Sequence, residues 1–180
     1  FLLNLMLDTL ISSKTRIKLL FKFFLNNDNV AYLRSLESDF GDSSNAIRVE
    51  LNKLEAAKML TSYVDGNKKY FKVNTSHPLY NDIKRIIHKH LGLDTIIEKV
   101  VENLGEVEEV YLTGQLAKGM ESSIIDLVFI GEINVQYLIK LIAKTEGLLS
   151  RKIRYLIFND MIEFEEWKKN NETVLLLWNK

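Results

Sequence analysis

The sequence predicts an α+β protein of two modules, residues 1–92 and 93–180. Three observations carry that reading. Helical periodicity fills residues 12–60, and a hairpin signal follows it directly. Beyond residue 93, amphipathic helices alternate with apolar runs short enough to be strands. The charge divides at the same place. Residues 1–92 hold 14 Lys/Arg against 9 Asp/Glu, a net of +5; residues 93–180 hold 10 against 15, a net of −5. The first module is expected to attract a polyanion and the second to repel one.

Composition bounds the chemistry. The chain has 180 residues and is 47% apolar, enough to fold around modest cores. It has no cysteine, which excludes disulfides, thiolate zinc sites, cysteine nucleophiles and iron–sulfur clusters. In the opening run FLLNLMLDTLI, Leu3, Met6, Leu7 and Leu10 recur at helical spacing. This predicts an amphipathic helix packed on its own domain or on a partner such as a second copy. Eleven residues with Asp8 among them are too few to span a membrane. No basic leader precedes them, so a cytoplasmic protein is expected.

Ser12 and Ser13 are candidate caps for a helix through KTRIKLLFKFFLNN, with Ile17, Leu20, Phe21 and Phe24 as its apolar stripe. AYLRSLESDF predicts a second helix with Leu33, Leu36 and Phe40 inward, stopped by Gly41. SSNAIRVELNKLEAAKML predicts a third, capped by Asp42 or Ser43, with Ile47, Leu51 and Leu54 in the core. Asp65-Gly66 then sits between two runs carrying Tyr63, Val64, Tyr70, Phe71 and Val73, a hairpin signal. Three helices and a hairpin, in that order, predict a winged helix-turn-helix.

The polar face of the third helix suits DNA. Ser43, Ser44, Asn45, Arg48 and Asn52 are small, polar or cationic. Arg and Asn can bond base edges bidentately from a helix in the major groove. Lys68 and Lys69 follow the hairpin turn, where a wing lysine neutralises backbone phosphate without reading sequence. Glu50 and Glu55 dilute the basic character. The stretch 44–74 resembles the recognition helix and wing of an ArsR-like winged-helix regulator, and the resemblance spans about residues 12–90. The family phrase Leu-x-x-Leu-x-x-x-Gly-Leu reads here Leu51, Leu54, Lys58, Met59, Leu60, with Lys58 in place of the glycine. Cysteine-based metal sensing is not carried over.

Segment 76–92 predicts a further helix with Leu79, Ile83, Ile86 and Ile87 inward, closed by Gly92. His88 and His90 are two apart on it and cannot chelate one ion together. With His77 at the start of the helix, no metal site is expected. In the second module, DTIIEKVVENL predicts a helix capped by Asp94. A strand VEEVYLTG ends at Gly114. A buried strand runs through Ile124, Ile125 and LVFI. Helix NVQYLIKLIAKTEGLL, strand KIRYLIF and short helix MIEFEEWKK follow, while TVLLLW is ambiguous.

TGQLAKGMESSIIDLVFIG resembles the signature of minimal nucleotidyltransferases through Gly114, Ala117, Lys118, Gly119, Ser123 and Asp126. The resemblance covers about residues 93–168. Nucleotidyl transfer needs two metal ions held by carboxylates at i and i+2 of one strand. Here those positions are Ile124 and Asp126. Gln115 replaces the serine after Gly114, and Arg154 occupies the neighbouring strand where a third acid is normal. No catalytic residue, metal or cofactor is therefore expected. Gly114, Gln115, Lys118, Asp126 and Arg154 outline a degenerate cleft for an anionic small molecule or nucleotide bound without magnesium, unless Asp126 pairs with one of the two cations. The expected function is a DNA-binding transcriptional regulator that acts on double-stranded DNA as a homodimer. Its second domain serves oligomerisation or ligand response. The alternative is a residual nucleotidyltransferase that docks through its winged helix; a protein-interaction adaptor is a third reading.

Overall fold

The computed structural model describes residues 6–149, 151–170 and 173–180, and their side chains except those of residue 6 and residues 99–103. The architecture is mixed α+β, in two compact units. Of the described residues, one comprises 6–88 with Gly119–Glu121; the other comprises Lys89–Lys118 and those within 122–180.

The first unit starts with α1 (Met6–Leu10), of which Leu7 is buried but Leu10 is 77% exposed. Leu10 thus leaves the expected stripe, while Leu3 and the Met6 side chain lie outside the described residues. Helix α2 (Lys14–Leu20) is capped by Ser13, whose Oγ accepts the Arg16 N–H at 3.2 Å. It runs on as a wider π turn over Phe21–Leu25. Ile17, Leu20, Phe21 and Phe24 are buried as expected, and so are Leu19, Phe23 and Leu25. This element is enclosed on all sides and forms the middle of the unit's core.

Strand β1 (Val30–Tyr32) corrects the expected start of the second helix. Ala31 and Tyr32 pair with a strand rather than wind into the helix. Three residues are too few for alternation to show in the sequence. Helix α3 (Leu33–Phe40) buries Leu36 and half-buries Leu33 and Phe40, and Gly41 ends it at φ +67°. Helix α4 (Ser44–Ala56) has Ser43 as its cap, with Oγ accepting the Ala46 N–H. Ile47, Leu51 and Leu54 are buried. Asp42 binds Thr15 and Lys18 instead, each at 2.7 Å.

Strands β2 (Leu60–Asp65) and β3 (Lys68–Val73) form the hairpin, and β1 adds to β3, giving the antiparallel order β1-β3-β2. Asp65 pairs with Lys68, so the loop is Gly66-Asn67, one residue later than expected. Gly66 sits at φ +58° and Asn67 does not have positive φ. That is the requirement of a type II′ turn, which wants glycine first. One sheet face buries Ala31, Leu60, Phe71 and Val73. The other aligns Tyr32, Tyr70 and Tyr63, with ring centroids 5.4 and 5.5 Å apart. Helix α5 (Tyr80–Leu91) buries Tyr80, Ile87 and Leu91, while Leu79 and Ile86 are about half exposed. Phe24 packs on Tyr80, and Ile87 lies on the same face two turns on, which turns Ile86 out and corrects the expected stripe.

The second unit follows helix α6 (Leu93–Asn103) with β4 (Gly105–Thr113), a short helix α7 (Gly114–Ala117), β5 (Ile124–Ile133), α8 (Val135–Leu149), β6 (Lys152–Phe158), α9 (Met161–Lys168) and β7 (Leu175–Asn179). Gly92, at φ +76°, takes the cap position of α6, so Asp94 lies in its first turn and not at the cap. The sheet order is β6-β5-β4-β7; β5 and β6 are parallel and the other pairs antiparallel. The ambiguous TVLLLW supplies the edge strand β7. Leu127, Phe129 and Ile153 face Ile96, Leu138, Leu141 and Thr145 of α6 and α8. On the opposite face, Tyr111, Val128 and Ile130 pack with Phe164 and Trp167 of α9. No described helix is long and apolar enough to cross a membrane.

Candidate functional site

The residues expected to meet DNA lie on two elements of the first unit. Asn45, Arg48 and Asn52 share one exposed face of α4, opposite Ile47, Leu51 and Leu54. Ser44 is half-buried in the first turn, and Ser43 is spent on the cap. A cavity of about 430 Å³ opens beside this face. It brings together Arg48 and Asn52 of α4, Asn67, Lys68 and Lys69 of the hairpin, and Tyr32 and Arg34 at the start of α3. Leu33, Leu51 and Phe71 give it an apolar lining.

The two hairpin lysines differ. Lys68 holds its ammonium 4.5 Å from the centre of the Tyr32 ring, a cation–π contact. Lys69 is engaged otherwise. Its ammonium lies 2.7 Å from the Glu55 carboxylate and 5.0 Å from the Phe71 ring centre. The Lys69 bond, with a second from the Ser62 hydroxyl, holds the Glu55 carboxyl below its ordinary range against a smaller effect of burial. Glu50, the other acid on α4, is turned inward. Burial alone would raise its pKa, but hydrogen bonds from Arg16 at 2.7 Å and Lys53 at 3.1 Å outweigh this and lower it. Glu50 therefore takes little from the outer face, whereas Glu55 does offset Lys69. Among the described residues, no carboxylate lines the cavity.

Sequence reasoning missed Arg34, Tyr32 and Asn67. The first two lie within the expected second helix but outside its Leu33, Leu36 and Phe40 core, and the third lies just past the predicted turn. The usable signal was Arg34 itself, a cation on the side of α3 away from Leu36.

In the second unit, the cleft residues gather where β4, β5 and β6 meet α7. Asp126 pairs in register with Thr113 on one side and Arg154 on the other. Its Oδ1 accepts a hydrogen bond from the Arg154 Nε at 2.6 Å, so the carboxylate is taken by a cation of the same sheet face. The bond holds the Arg154 proton more tightly than usual. Gly114, at φ +69°, brings bare backbone against Asp126; a Cβ there would collide with the carboxylate. Ile124 lies on the same side, two residues before Asp126, as strand alternation requires. Gln115 is exposed and Lys118 is half-buried at the end of α7. Gly114, Asp126 and Arg154 are thus brought together, and the pairing of Asp126 falls to Arg154. A two-metal site does not fit these residues. One carboxylate is present, it is bonded to a guanidinium, and no group of three or more His, Asp or Glu that could hold a metal occurs among the described residues.

No protein-family model matches the chain, and no curated protein matches it. Solved structures overlap it in part. AF1382 from Archaeoglobus fulgidus is 17% identical with a TM-score of 0.36, over 53% of this chain and 97% of that one. A Sulfolobus solfataricus protein, provisionally described as a nucleotidyltransferase, is 24% identical with a TM-score of 0.34, over 49% of this chain and 78% of its own. Human N-acetylserotonin methyltransferase is 14% identical with a TM-score of 0.30, over 56% of this chain and 34% of its own. Likeness at this level carries no argument about activity.

Proposed function

We propose that the chain is a sequence-specific regulator that binds double-stranded DNA through a winged helix in its first unit. One observation carries the reading: the exposed Asn45–Arg48–Asn52 face of α4 opens onto a concavity that also holds Lys68 and Arg34 and no carboxylate. The element order supports it, since α2, α3 and α4 precede a hairpin whose sheet is completed by β1. In this reading α4 lies in the major groove. Arg48 and Asn52 bond base edges, and Lys68 meets phosphate. Ser43 orders the helix start, and Lys69 contributes only when it leaves Glu55. The chain acts as a homodimer, because two half-sites raise both affinity and specificity. The second unit, with Asp126 held by Arg154, serves oligomerisation or ligand response.

The test is selection of genomic duplexes by the purified chain, followed by titration of the enriched duplex at several salt concentrations. A common inverted repeat is expected, with affinity falling steeply as salt rises. Arg48→Ala should cost about 1–3 kcal/mol and relax preference at one base position. Equal, weak affinity for every duplex would remove the reading.

A second reading is residual nucleotidyl transfer at the cleft of Gly114 and Asp126, although the bond from Arg154 to that single acid weighs against it. Magnesium-dependent transfer of label from a nucleotide, lost in Asp126→Ala, would establish it over the first.

A further inference from the structure

The cavity between α4, the hairpin and the start of α3 has the dimensions and chemistry of a small-molecule site. At about 430 Å³ it is far larger than a single phosphate needs, and it falls in the range of ligand pockets. Its lining is divided. Leu33, Leu51, Phe71 and the Tyr32 ring are apolar or aromatic, while Arg34, Arg48 and Lys68 are cationic.

The cations nearby are mostly neutralised. Arg16 and Lys53 bond Glu50, Lys18 bonds Asp42, Lys22 bonds Asp39 and Lys69 bonds Glu55. Arg34 and Arg48 form no ion pair among the described residues, and Lys68 rests on the Tyr32 ring instead. Two guanidinium groups are thus left without counter-charge at the edge of an apolar hollow. A phosphate alone would satisfy them but leave Leu33, Leu51 and Phe71 wet. A flat ring carrying an acid group would satisfy both halves, with the ring covering apolar surface and the acid reaching the guanidinium forks.

We propose that this cavity binds a small organic anion built on a planar ring, such as a nucleoside monophosphate or an aromatic carboxylate. The ligand shares Arg48 and Lys68 with the DNA face, so the inference rests on that reading and deepens it by adding a ligand site in the first unit.

The experiment is calorimetric titration of the DNA-free chain with AMP, benzoate and inorganic phosphate, with Arg34→Ala and Leu33→Trp alongside. Circular dichroism melting checks that both variants fold. Saturable binding of AMP or benzoate is expected, weakened about tenfold or more both by loss of the guanidinium and by filling the hollow. Benzoate matching AMP assigns aromatic carboxylates; binding of AMP alone assigns ring-bearing phosphates. No saturable heat from either ring compound overturns the proposal. So does binding unchanged in both variants, or inorganic phosphate binding as tightly as AMP. Duplex binding, followed separately by fluorescence anisotropy, keeps the two readings apart. AMP binding without any duplex binding removes only the DNA reading; duplex binding with no ring-anion binding removes only this one.

Discussion

Lys58 carries backbone strain that its side chain does nothing to relieve. It is the one residue other than glycine with positive φ among those described, at +59°. The reason is the end of α4. The Lys58 N–H bonds the Glu55 carbonyl and the Met59 N–H bonds the Leu54 carbonyl, the paired closure that places the residue after the cap in left-handed conformation. The glycine expected from the ArsR-like phrase is missing, yet its conformation is kept. A non-glycine residue there costs about 1–2 kcal/mol. Lys58→Gly should therefore raise stability by about 1 kcal/mol, after its larger unfolded-state entropy is subtracted. A thermal melt should show a midpoint several degrees higher, and a lower midpoint would refute the strain. Thr145 carries a cost of another kind. Its hydroxyl is buried on α8 beside Leu127, Phe129 and Ile153, with no hydrogen-bond partner among the described residues. Thr145→Val keeps the shape and removes an unsatisfied group, so urea unfolding should show a gain of about 1–2 kcal/mol. A loss would mean that the hydroxyl finds a partner in solution.

Between elements, the deciding interaction is the Glu55 clamp from α4 to the hairpin. It fixes Lys69 and Ser62 against the helix and neutralises one cation of the hairpin. On the DNA-binding reading proposed above, Glu55→Gln should free Lys69, tighten duplex binding and steepen the dependence of log affinity on log salt by about one. Anisotropy titrations at three salt concentrations would read this, and an unchanged slope would mean Lys69 never reaches phosphate. The clamp also marks how far sequence reasoning reached. Helices α2, α3 and α4, and the two hairpin strands, were legible because long periodic runs and Gly41 punctuate them. Strand β1 was not, since three residues carry no period and their pairing with β3 is non-local. The inward set of α5 was misread because Leu79 and Ile86 are as apolar as the residues that are buried. For the candidate site, Arg48 and Asn52 followed from one helix face. Arg34 joined them only through the packing of α3 beside the hairpin, and Lys69 was neutralised by a contact fourteen residues away. In the second unit, Asp126 and Arg154 were legible as members of one cleft. Which cation would take the carboxylate was settled only by the parallel register of β5 and β6.

Across the whole molecule, the two units are stabilised by charge in different ways, and acid should separate them. In the first unit three carboxylates with lowered pKa tie distant segments together: Asp42 to Thr15 and Lys18, Glu50 to Arg16, and Glu55 to Lys69. For Asp42 and Glu50 burial opposes the charged form, and the hydrogen bonds outweigh it. In the second unit the lowered carboxylates are Glu146, through the Ile153 N–H and Lys152, and the exposed Glu106, through Lys180. An exposed pair of that kind adds little. The sign follows from linkage. A carboxyl whose folded pKa lies below its unfolded one adds stability that is complete above the unfolded pKa and is lost as pH falls through the folded one. The stabilisation by Asp42, Glu50 and Glu55 should therefore be full at neutral pH and disappear below the ordinary carboxylate range. Both tryptophans, Trp167 and Trp178, belong to the second unit, so their fluorescence reports that unit alone, while far-ultraviolet circular dichroism reports both. On acidification the dichroism should begin to fall before the tryptophan emission shifts. Glu50→Gln should move that first transition toward neutral pH and leave the emission curve in place. Coincident curves, or a Glu50→Gln variant whose dichroism transition does not move, would show that these three ion pairs do not set the acid stability of the first unit.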